Sequence, residues 1–395
     1  MMTKPDKEAK QLKKTGIIFT AFLLSSAAFI VFITIFQTEE PVYADELGTR
    51  SGEASAERSG DVSRPVITDV RIGAVGDVLL HARVYDDAET EDGGYDFLPM
   101  LEEIEPYIQE LDFVMANQES MPGGTDIGLS TYPLFNSPRQ IATDLQTVGF
   151  DFLSLANNHS LDAGLEGIYS SIDHLNDIGM DYTGIFESPE DRETDRIIDV
   201  NGIDFGILSY TYGTNGIPIP RGHEYSVSLL DNPDLPDEIA ALREKSDVVV
   251  VHAHWGDEYV RTPNAEQERL AQVMVDAGAD IIIGHHPHVL QPMEWLEDED
   301  GREAIVYYSL GNFLSGQVFE YTDIGGIARL NVRKIEQGGD SRIELSRPDI
   351  LPTFVHHEDH DDYRVILLED AYGKEYIDKS AEKLIGHTEQ YFDDE

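Results

Sequence analysis

The sequence contains no cysteine, which excludes a disulfide, a thiolate zinc site and a cysteine nucleophile. Basic residues are scarce: 28 Lys and Arg stand against 76 Asp and Glu, giving a formal net charge of −48. A chain this acidic lacks the basic surface that a phosphate backbone requires, so we exclude nucleic acid as a partner. The acidic residues are scattered along the chain, which favours a solvated surface. Any metal ion must be held by His, Asp, Glu or Asn.

Near the N-terminus an uncharged run of 21 residues, 16–36, follows a basic segment, 1–15, that contains five lysines. At about 1.5 Å per residue such a helix matches a bilayer core of roughly 30 Å. Lysines favour the cytoplasmic side, so we predict a single-pass signal-anchor helix with the rest of the chain outside the cell. Val42-Tyr43-Ala44 resembles a signal-peptidase site, so secretion after cleavage near Ala44 is the alternative.

Residues 37–65 are rich in Glu, Ser, Gly and Ala and are predicted to form a disordered linker. Folded sequence begins near residue 66. We expect the main domain to span 66–335 and to be followed by C-terminal strands and an acidic tail at 336–395.

Short apolar runs rich in Val and Ile predict buried strands at 70–75, 113–116, 152–156, 205–210, 248–251, 281–283 and 305–308. Helical patterns separate several of these runs. One is predicted to begin at Ser137-Pro138, with Ser137 as the N-cap, and to end near Gly149. Others cover 165–178, 264–277 and, near the C-terminus, about 374–384. Strands that alternate with helices indicate an α/β fold.

Polar side chains follow the predicted strands at the points where the strands end: Asp77; Asn117 and Glu119; Asn157, Asn158, His159 and Asp162; Thr214 and Asn215; His252, His254 and Glu258; His285, His286 and His288; Ser309 and Asn312. Open α/β sheets bind ligands beyond the carboxyl ends of their strands, so we expect these groups to converge. Imidazole suits Zn²⁺ and Fe, whereas carboxylate and amide oxygens suit Mn²⁺ and Mg²⁺. The mixed set predicts a hydrolytic centre with one or two divalent ions.

Seven stretches occur in the order found in CapA-like poly-γ-glutamate capsule synthesis proteins: Gly76-Asp77, Ala116-Asn117-Gln118-Glu119, Asn157-Asn158-His159, Thr214-Asn215-Gly216, His254-Trp255-Gly256-Asp257-Glu258, Gly284-His285-His286-Pro287-His288 and Ser309-Leu310-Gly311-Asn312-Phe313. The resemblance covers about residues 71–327. It implies a calcineurin-like four-layer α/β/β/α sandwich and a role in making or exporting poly-γ-glutamate at the membrane. It also implies an N-terminal anchor with the domain outside, and it suggests synthase or export subunits and an anionic polymer as partners.

A more distant similarity to metallophosphoesterases implies roles for individual residues. The implied metal ligands are Asp77, Glu119, Asn158, His254, His286 and His288. His159 is the implied general acid, and Asp162 orients it. We assign substrate contacts to Asn117, Thr214, Asn215, Trp255, Glu258 and Asn312; Asn117 is also an alternative to Glu119 as the bridging ligand.

Two departures from that pattern bear on catalysis. Metallophosphoesterases carry a His two residues after the first Asp, where this chain has Leu79, with His81 two residues further on. The Gly-Asp expected after the second strand is replaced by Asn117-Gln118-Glu119. One metal position is therefore expected to be altered or lost.

Three functions remain open at this point. The first is an accessory subunit of poly-γ-glutamate synthesis or export. The second is a free-standing metal-dependent phosphoesterase, or a hydrolase of γ-glutamyl or cell-wall bonds. The third is a non-catalytic module that binds a polyanion through bridging divalent ions.

Overall fold

The structure, a computed structural model, describes residues 64–371 and 380–392. In these ranges no helix combines the length and the apolar character needed to cross a membrane. The predicted anchor at 16–36, the cleavage site near Ala44 and nearly all of the predicted linker lie outside the described residues.

The first of two sheets has eight strands: β1 (Val66–Leu79), β2 (Phe113–Gln118), β3 (Phe152–Ser154), β4 (Asp181–Thr183), β11 (Asn312–Ser315), β12 (Ile324–Gln337), β13 (Asp340–Glu358) and β14 (Asp361–Leu367). Their order is β14-β13-β12-β1-β2-β3-β4, and β11 pairs with β1. Strands β1 to β4 and β11 pair in parallel, whereas β12 to β14 are antiparallel. The C-terminal strands therefore extend the same sheet as β1.

The second sheet has six strands: β5 (Ile197–Val200), β6 (Ile203–Thr211), β7 (Val248–His254), β8 (Ile281–His285), β9 (Met293–Glu297) and β10 (Glu303–Tyr307). Their order is β5-β6-β7-β8-β10-β9. Strands β6, β7, β8 and β10 are parallel. The apolar runs of the sequence do not predict β4, β5, β9 or β11, each of five residues or fewer.

The helices are α1 (Ala82–Asp87), α2 (Leu98–Leu101), α3 (Glu105–Ile108), α4 (Gln140–Val148), α5 (Gly164–Ile178), α6 (Pro189–Arg192), α7 (Leu235–Arg243), α8 (Ala265–Ala277), α9 (Leu368–Ala371) and α10 (Ala381–Thr388), with one 3₁₀ turn at Thr125–Ile127. Asn264 caps the start of α8, with a side chain that accepts from the backbone in a capping box, and the left-handed Gly278 caps its end.

Three apolar cores separate successive layers of helices and sheets. Helices α1 to α5 cover one face of the first sheet, the two sheets face each other, and α7 and α8 cover the outer face of the second sheet. In β7, Val248 and Val250 point to the core between the sheets, while Val249 and Val251 point to α7 and α8. Burial on both faces explains why this strand is an unbroken Val run. The expected mixed α/β fold with two sheets is confirmed.

Two helix predictions need correction or restriction. Helix α4 begins at Gln140, so the predicted cap at Ser137 is wrong. The Ser137 hydroxyl instead donates to the backbone oxygens of Ser120 and Met121, at 3.2 and 3.1 Å. The predicted helix at 374–384 falls partly on undescribed residues; α10 begins at Ala381.

Candidate metal centre

Close approach of the strand ends builds the site. Asp77, near the end of β1, pairs in register with Asn117 of β2 and Asn312 of β11. A Cβ on Gly76 would lie 1.9 Å from the backbone oxygen of Gly311, so only glycine permits β1 and the turn before β11 to lie this close. The register therefore aligns three polar side chains at one edge of the sheet.

The six residues predicted to bind metal converge on this edge. Potential ligand atoms lie within 4.8 Å of one another in the group Glu119, His254 and His286, and again in the group Asp77, Glu119 and His288. Glu119 belongs to both groups. The sixth residue, Asn158, lies beside them, with its Oδ1 atom 3.0 Å from His254 Nε2. Two ligand groups that share a carboxylate match a centre for two ions.

Glu119 is the least satisfied group of the site. It is fully buried, and neither carboxylate oxygen has a hydrogen-bond partner among the described residues. The nearest imidazole nitrogens are His254 Nε2 at 3.6 Å and His288 Nδ1 at 3.8 Å. A buried unpaired carboxylate is costly, so its presence between two histidine groups fits a bound cation.

The segment between β8 and β9 presents His286 and His288 through an unusual backbone. Both residues have positive φ, 97° and 58°, which non-glycine residues rarely adopt. The His286 Nδ1 atom is buried and has no hydrogen-bond partner in the described part of the chain. Backbone strain of this kind persists where the surrounding structure enforces it, commonly at functional sites.

His159 and Asp162 form a separate pair beside the ligand groups. His159 Nδ1 lies 2.6 Å from Asp162 Oδ2, and the side chains are 8% and 0% exposed. The Phe135 backbone N–H also donates to Asp162 Oδ2, at 2.6 Å, and the Phe135 ring packs edge-on against His159 at 4.7 Å. These contacts fix the imidazole plane and place its Nδ1 proton toward the carboxylate. No pattern in the sequence points to Phe135, because only the fold brings it to His159.

Neighbouring side chains hold Asp77 in place. Asn117 donates to Asp77 Oδ1 at 2.8 Å, and His288 Nδ1 lies 3.1 Å from Asp77 Oδ2. Behind Asp77, His285 Nδ1 approaches Oδ1 at 3.5 Å, and its Nε2 contacts His252 Nδ1 at 3.0 Å. Such outer partners orient metal ligands and fix their tautomers.

Burial strongly perturbs the titration of the site. It raises the pKa of Glu119 well above its usual value and lowers that of His286 to about 3. It also lowers the pKa of His254. Burial would lower the pKa of His288 too, but the neighbouring Glu119 charge and the bond to Asp77 outweigh it and raise that pKa to about 9. A cation bound beside His288 must therefore displace a proton.

The predicted substrate contacts divide into two sets. Asn215, which lies 3.3 Å from both Asn158 and His159, is at the site, and so is Glu258, which forms a further potential ligand group with His286 and His288. Thr214, in contrast, donates its hydroxyl to the Ile217 backbone at 2.6 Å and so stabilises a turn.

Three other predicted contacts are internal supports. Trp255 is 1% exposed and donates to the Tyr308 backbone at 3.0 Å, so it does not serve as a substrate platform. Asn117 and Asn312 are fully buried; Asn312 Oδ1 lies 3.1 Å from His288 Nδ1. They position Asp77 and His288 and do not reach a substrate.

Leu79 stands where metallophosphoesterases have a metal-binding His, and the structure shows where Leu79 and the nearby His81 lie. Leu79 is buried in the core. His81 packs edge-on against Phe135 at 5.1 Å, and its Nδ1 contacts the Leu79 backbone oxygen. His81 belongs to no potential ligand group within residues 64–371 and 380–392. The group around Asp77 thus contains a single histidine, His288.

An exposed aromatic rim borders the centre; we use this name for Tyr212, Tyr259 and Phe319, which are 47%, 39% and 57% exposed. The Tyr212 ring lies 4.8 Å from His286, and the Tyr259 ring lies 6.1 Å from His288 and 4.9 Å from Phe319. Sequence reasoning missed this rim, although Tyr212 and Tyr259 lie just beyond strand ends.

Comparison with known proteins decides the family. The family model described as "Bacterial capsule synthesis protein PGA_cap" matches residues 71–317. The chain belongs to this family. The resemblance to CapA-like proteins expected from the seven motifs is thereby confirmed, and the matched segment contains every predicted site residue.

Two members of the family illustrate the relationship. The chain is 33% identical to the capsule biosynthesis protein CapA of Bacillus anthracis over 270 residues, 66% of this chain but only 63% of that protein. It is 30% identical to the PGA biosynthesis protein CapA of Bacillus subtilis over 285 residues, 70% of each chain. Among solved structures, a 5′-nucleotidase precursor from Thermus thermophilus aligns with a TM-score of 0.43 and 14% identity, covering 76% of this chain and 54% of that one.

Proposed function

We propose that this protein is a membrane-anchored, extracytoplasmic component of poly-γ-glutamate capsule synthesis or export that carries a metal-dependent hydrolytic centre. The named roles of its relatives, capsule biosynthesis and PGA biosynthesis, support the pathway. The anchor belongs to the proposal because residues 16–36 have the length and flanking charge of one. Synthase or export subunits at the membrane are the proposed partners.

One observation carries the metal centre: the buried Glu119 carboxylate, unpaired among the described residues, lies between two histidine groups. The donor set fits divalent ions. Asp77, Glu119 and His288 would hold one ion, and Glu119, Asn158, His254 and His286 would hold the other. Imidazole with carboxylate and amide oxygens suits Mn²⁺, Zn²⁺, Fe or Mg²⁺. When bound, such ions activate water and neutralise charge that develops on the reacting oxygens.

The protein's own acid–base chemistry is assigned to His159. Its Nδ1 proton faces Asp162, so Nε2 is the atom that exchanges a proton with the leaving group. Asp162 holds the tautomer and stabilises the imidazolium, and Asn215 lies within 3.3 Å of the same ring. We also propose that the fold is the four-layer α/β/β/α sandwich of calcineurin-type proteins.

The aromatic rim indicates a substrate larger than a single phosphate. Exposed aromatic side chains around a polar centre mark a recognition surface, and their faces pack against methylene segments or rings. A polymer chain that crosses the rim would present one bond to the centre. An anionic polymer must also overcome the −48 charge, which bound divalent cations would offset locally.

The catalytic assignment is tested on purified full-length protein loaded with Mn²⁺ or Zn²⁺ and offered phosphoesters and γ-glutamyl peptides. His159→Ala should abolish turnover and leave metal content near that of wild type, because His159 belongs to neither ligand group. Asn201→Ala, a change on an exposed turn, is the control and should retain both. Turnover that survives in His159→Ala would refute the general-acid role.

The role in the cell needs a separate experiment. In a strain that lacks the gene, wild type should restore surface poly-γ-glutamate, and Glu119→Gln should not. Restoration by Glu119→Gln at normal protein level would show that the centre is dispensable for this role. Failure of wild type to restore polymer, together with hydrolysis in vitro, would favour the second candidate, a free-standing hydrolase, for which the His159–Asp162 geometry is the supporting observation.

A further inference from the structure

A second cleft lies at the opposite end of the sheets from the metal centre. We call it the arginine cleft; its cavity volume is about 830 Å³, and its charged walls include Arg71, Arg243, Arg302, Arg333 and Arg347. This volume is within the range of ligand sites. Arg71 and Asp77 are six residues apart on β1, so about 20 Å of strand separates the cleft from the metal centre.

Basic residues are far fewer than acidic ones in this chain, and most of the arginines in the cleft are already paired. Arg243 and Arg302 both bind Asp280, the latter at 2.9 Å. Arg333 makes a bidentate pair with Asp69, at 2.6 and 3.2 Å. These pairs form the fixed wall of the cleft and leave little net charge on it.

Arg71 and Arg347 are different. Neither guanidinium group has a hydrogen bond or ion pair with any residue in 64–371 or 380–392. Five arginines face five acids on the walls, and one of those acids, Glu344, is paired with Arg342 outside them, at 2.9 Å. With Glu344 taken by Arg342, four acids remain against the five arginines, an excess of one positive charge on a chain of net charge −48.

The backbone of β13 places Arg347 at the cleft. Arg329 of β12 pairs with Asp349, whereas Asn331 pairs with Ser346, so β13 carries one extra residue at a bulge. Arg347 lies in this bulge with a φ of 54°. Bulges redirect a side chain from its regular position on the strand.

We propose that the arginine cleft is a second binding site that takes a chain bearing carboxylates, held by Arg71 and Arg347. Guanidinium groups pair with carboxylates in a fork-shaped geometry that Arg333 and Asp69 already display in the same cleft. The apolar parts of Ile343, Leu345 and Trp295 on the walls would contact methylene groups between the carboxylates. A compact multivalent phosphate is disfavoured, because the acids on the walls repel concentrated negative charge.

The test uses full-length protein in EDTA, so that the metal centre cannot hold the probe, and measures fluorescence anisotropy of fluorescein-labelled linear γ-hexaglutamate at low salt. Wild type should bind saturably, and Arg71→Ala with Arg347→Ala should raise Kd at least tenfold. The matched control, Arg269→Ala with Lys383→Ala, removes the same charge from exposed helix positions and should change Kd less than twofold.

Three results would overturn the proposal. One is an absence of saturable binding by wild type, and another is an equal loss of affinity in the double variant and its control. The third is competition by pyrophosphate at lower concentration than by unlabelled γ-hexaglutamate, which would assign the cleft to phosphate. A single change, Arg71→Lys, supplies a second measurement if the double variant unfolds; it should weaken binding because Lys keeps the charge but loses the forked donors.

Discussion

Replacing Glu119 by Gln separates a metal-binding role from a structural one, because the two roles predict opposite effects on stability. The carboxylate is buried, and no described residue donates a hydrogen bond to it. Without metal, the amide removes a group that disfavours folding. We therefore expect metal-free Glu119→Gln to be at least as stable as wild type, with a gain of up to about 1–3 kcal/mol.

With metal the order should reverse. A ligand at 100 times its Kd stabilises a protein by about 2.7 kcal/mol. For a domain of more than 300 residues that is a Tm increase of roughly 4 °C. Wild type should show this increase with Mn²⁺ or Zn²⁺, and Glu119→Gln should show almost none, since both ligand groups lose their shared member.

The assay is thermal unfolding of full-length protein in EDTA and with titrated metal, with metal content measured in parallel. Asp280→Asn is the contrasting control: Asp280 is buried but paired with Arg243 and Arg302, so the same chemical change should destabilise by about 1–3 kcal/mol without affecting the metal response. A destabilised metal-free Glu119→Gln, or one that keeps the full metal-dependent Tm increase, would refute the reasoning.

Three further predictions concern the scaffold. Gly76→Ala should cost more than about 4 kcal/mol or prevent folding, because its Cβ would lie 1.9 Å from the Gly311 oxygen; Gly213→Ala, with open space around its Cβ, should stay within about 0.5 kcal/mol in denaturant unfolding. Burial raises the pKa of Asp144 to about 6, so between about pH 4 and 6 the folded state binds a proton that the unfolded state has released. Stability should therefore fall as pH rises through this range. Asp144→Asn should flatten that part of the profile of Tm against pH, and an unchanged slope would contradict the assignment. Trp255→Phe should lower stability by about 1–3 kcal/mol through its lost hydrogen bond and leave KM unchanged, whereas a raised KM would restore the substrate role that its burial argues against.

Sequence reasoning was most successful where a local pattern has one physical cause. The Val run of β7 is buried on two faces and therefore lacks alternation, and the helix predicted at 264–277 matches α8. It failed at Ser137, where the cap pattern was present but the hydroxyl instead donates to the backbone oxygens of Ser120 and Met121. Local sequence propensity does not show that backbone oxygens distant in sequence compete with the helix cap for the same hydroxyl.

The amino-acid sequence by itself determined the ligand types, their order at the ends of strands, and the family to which the chain belongs. Only the tertiary structure decided which polar residues face one another. It makes Glu119 the shared member of two ligand groups, turns Asn117 and Asn312 into supports, and buries Trp255. The physical reason is that strand register and the close approach at Gly76 set the distances between residues that are far apart in sequence. The spacing of residues along the sequence does not contain those distances.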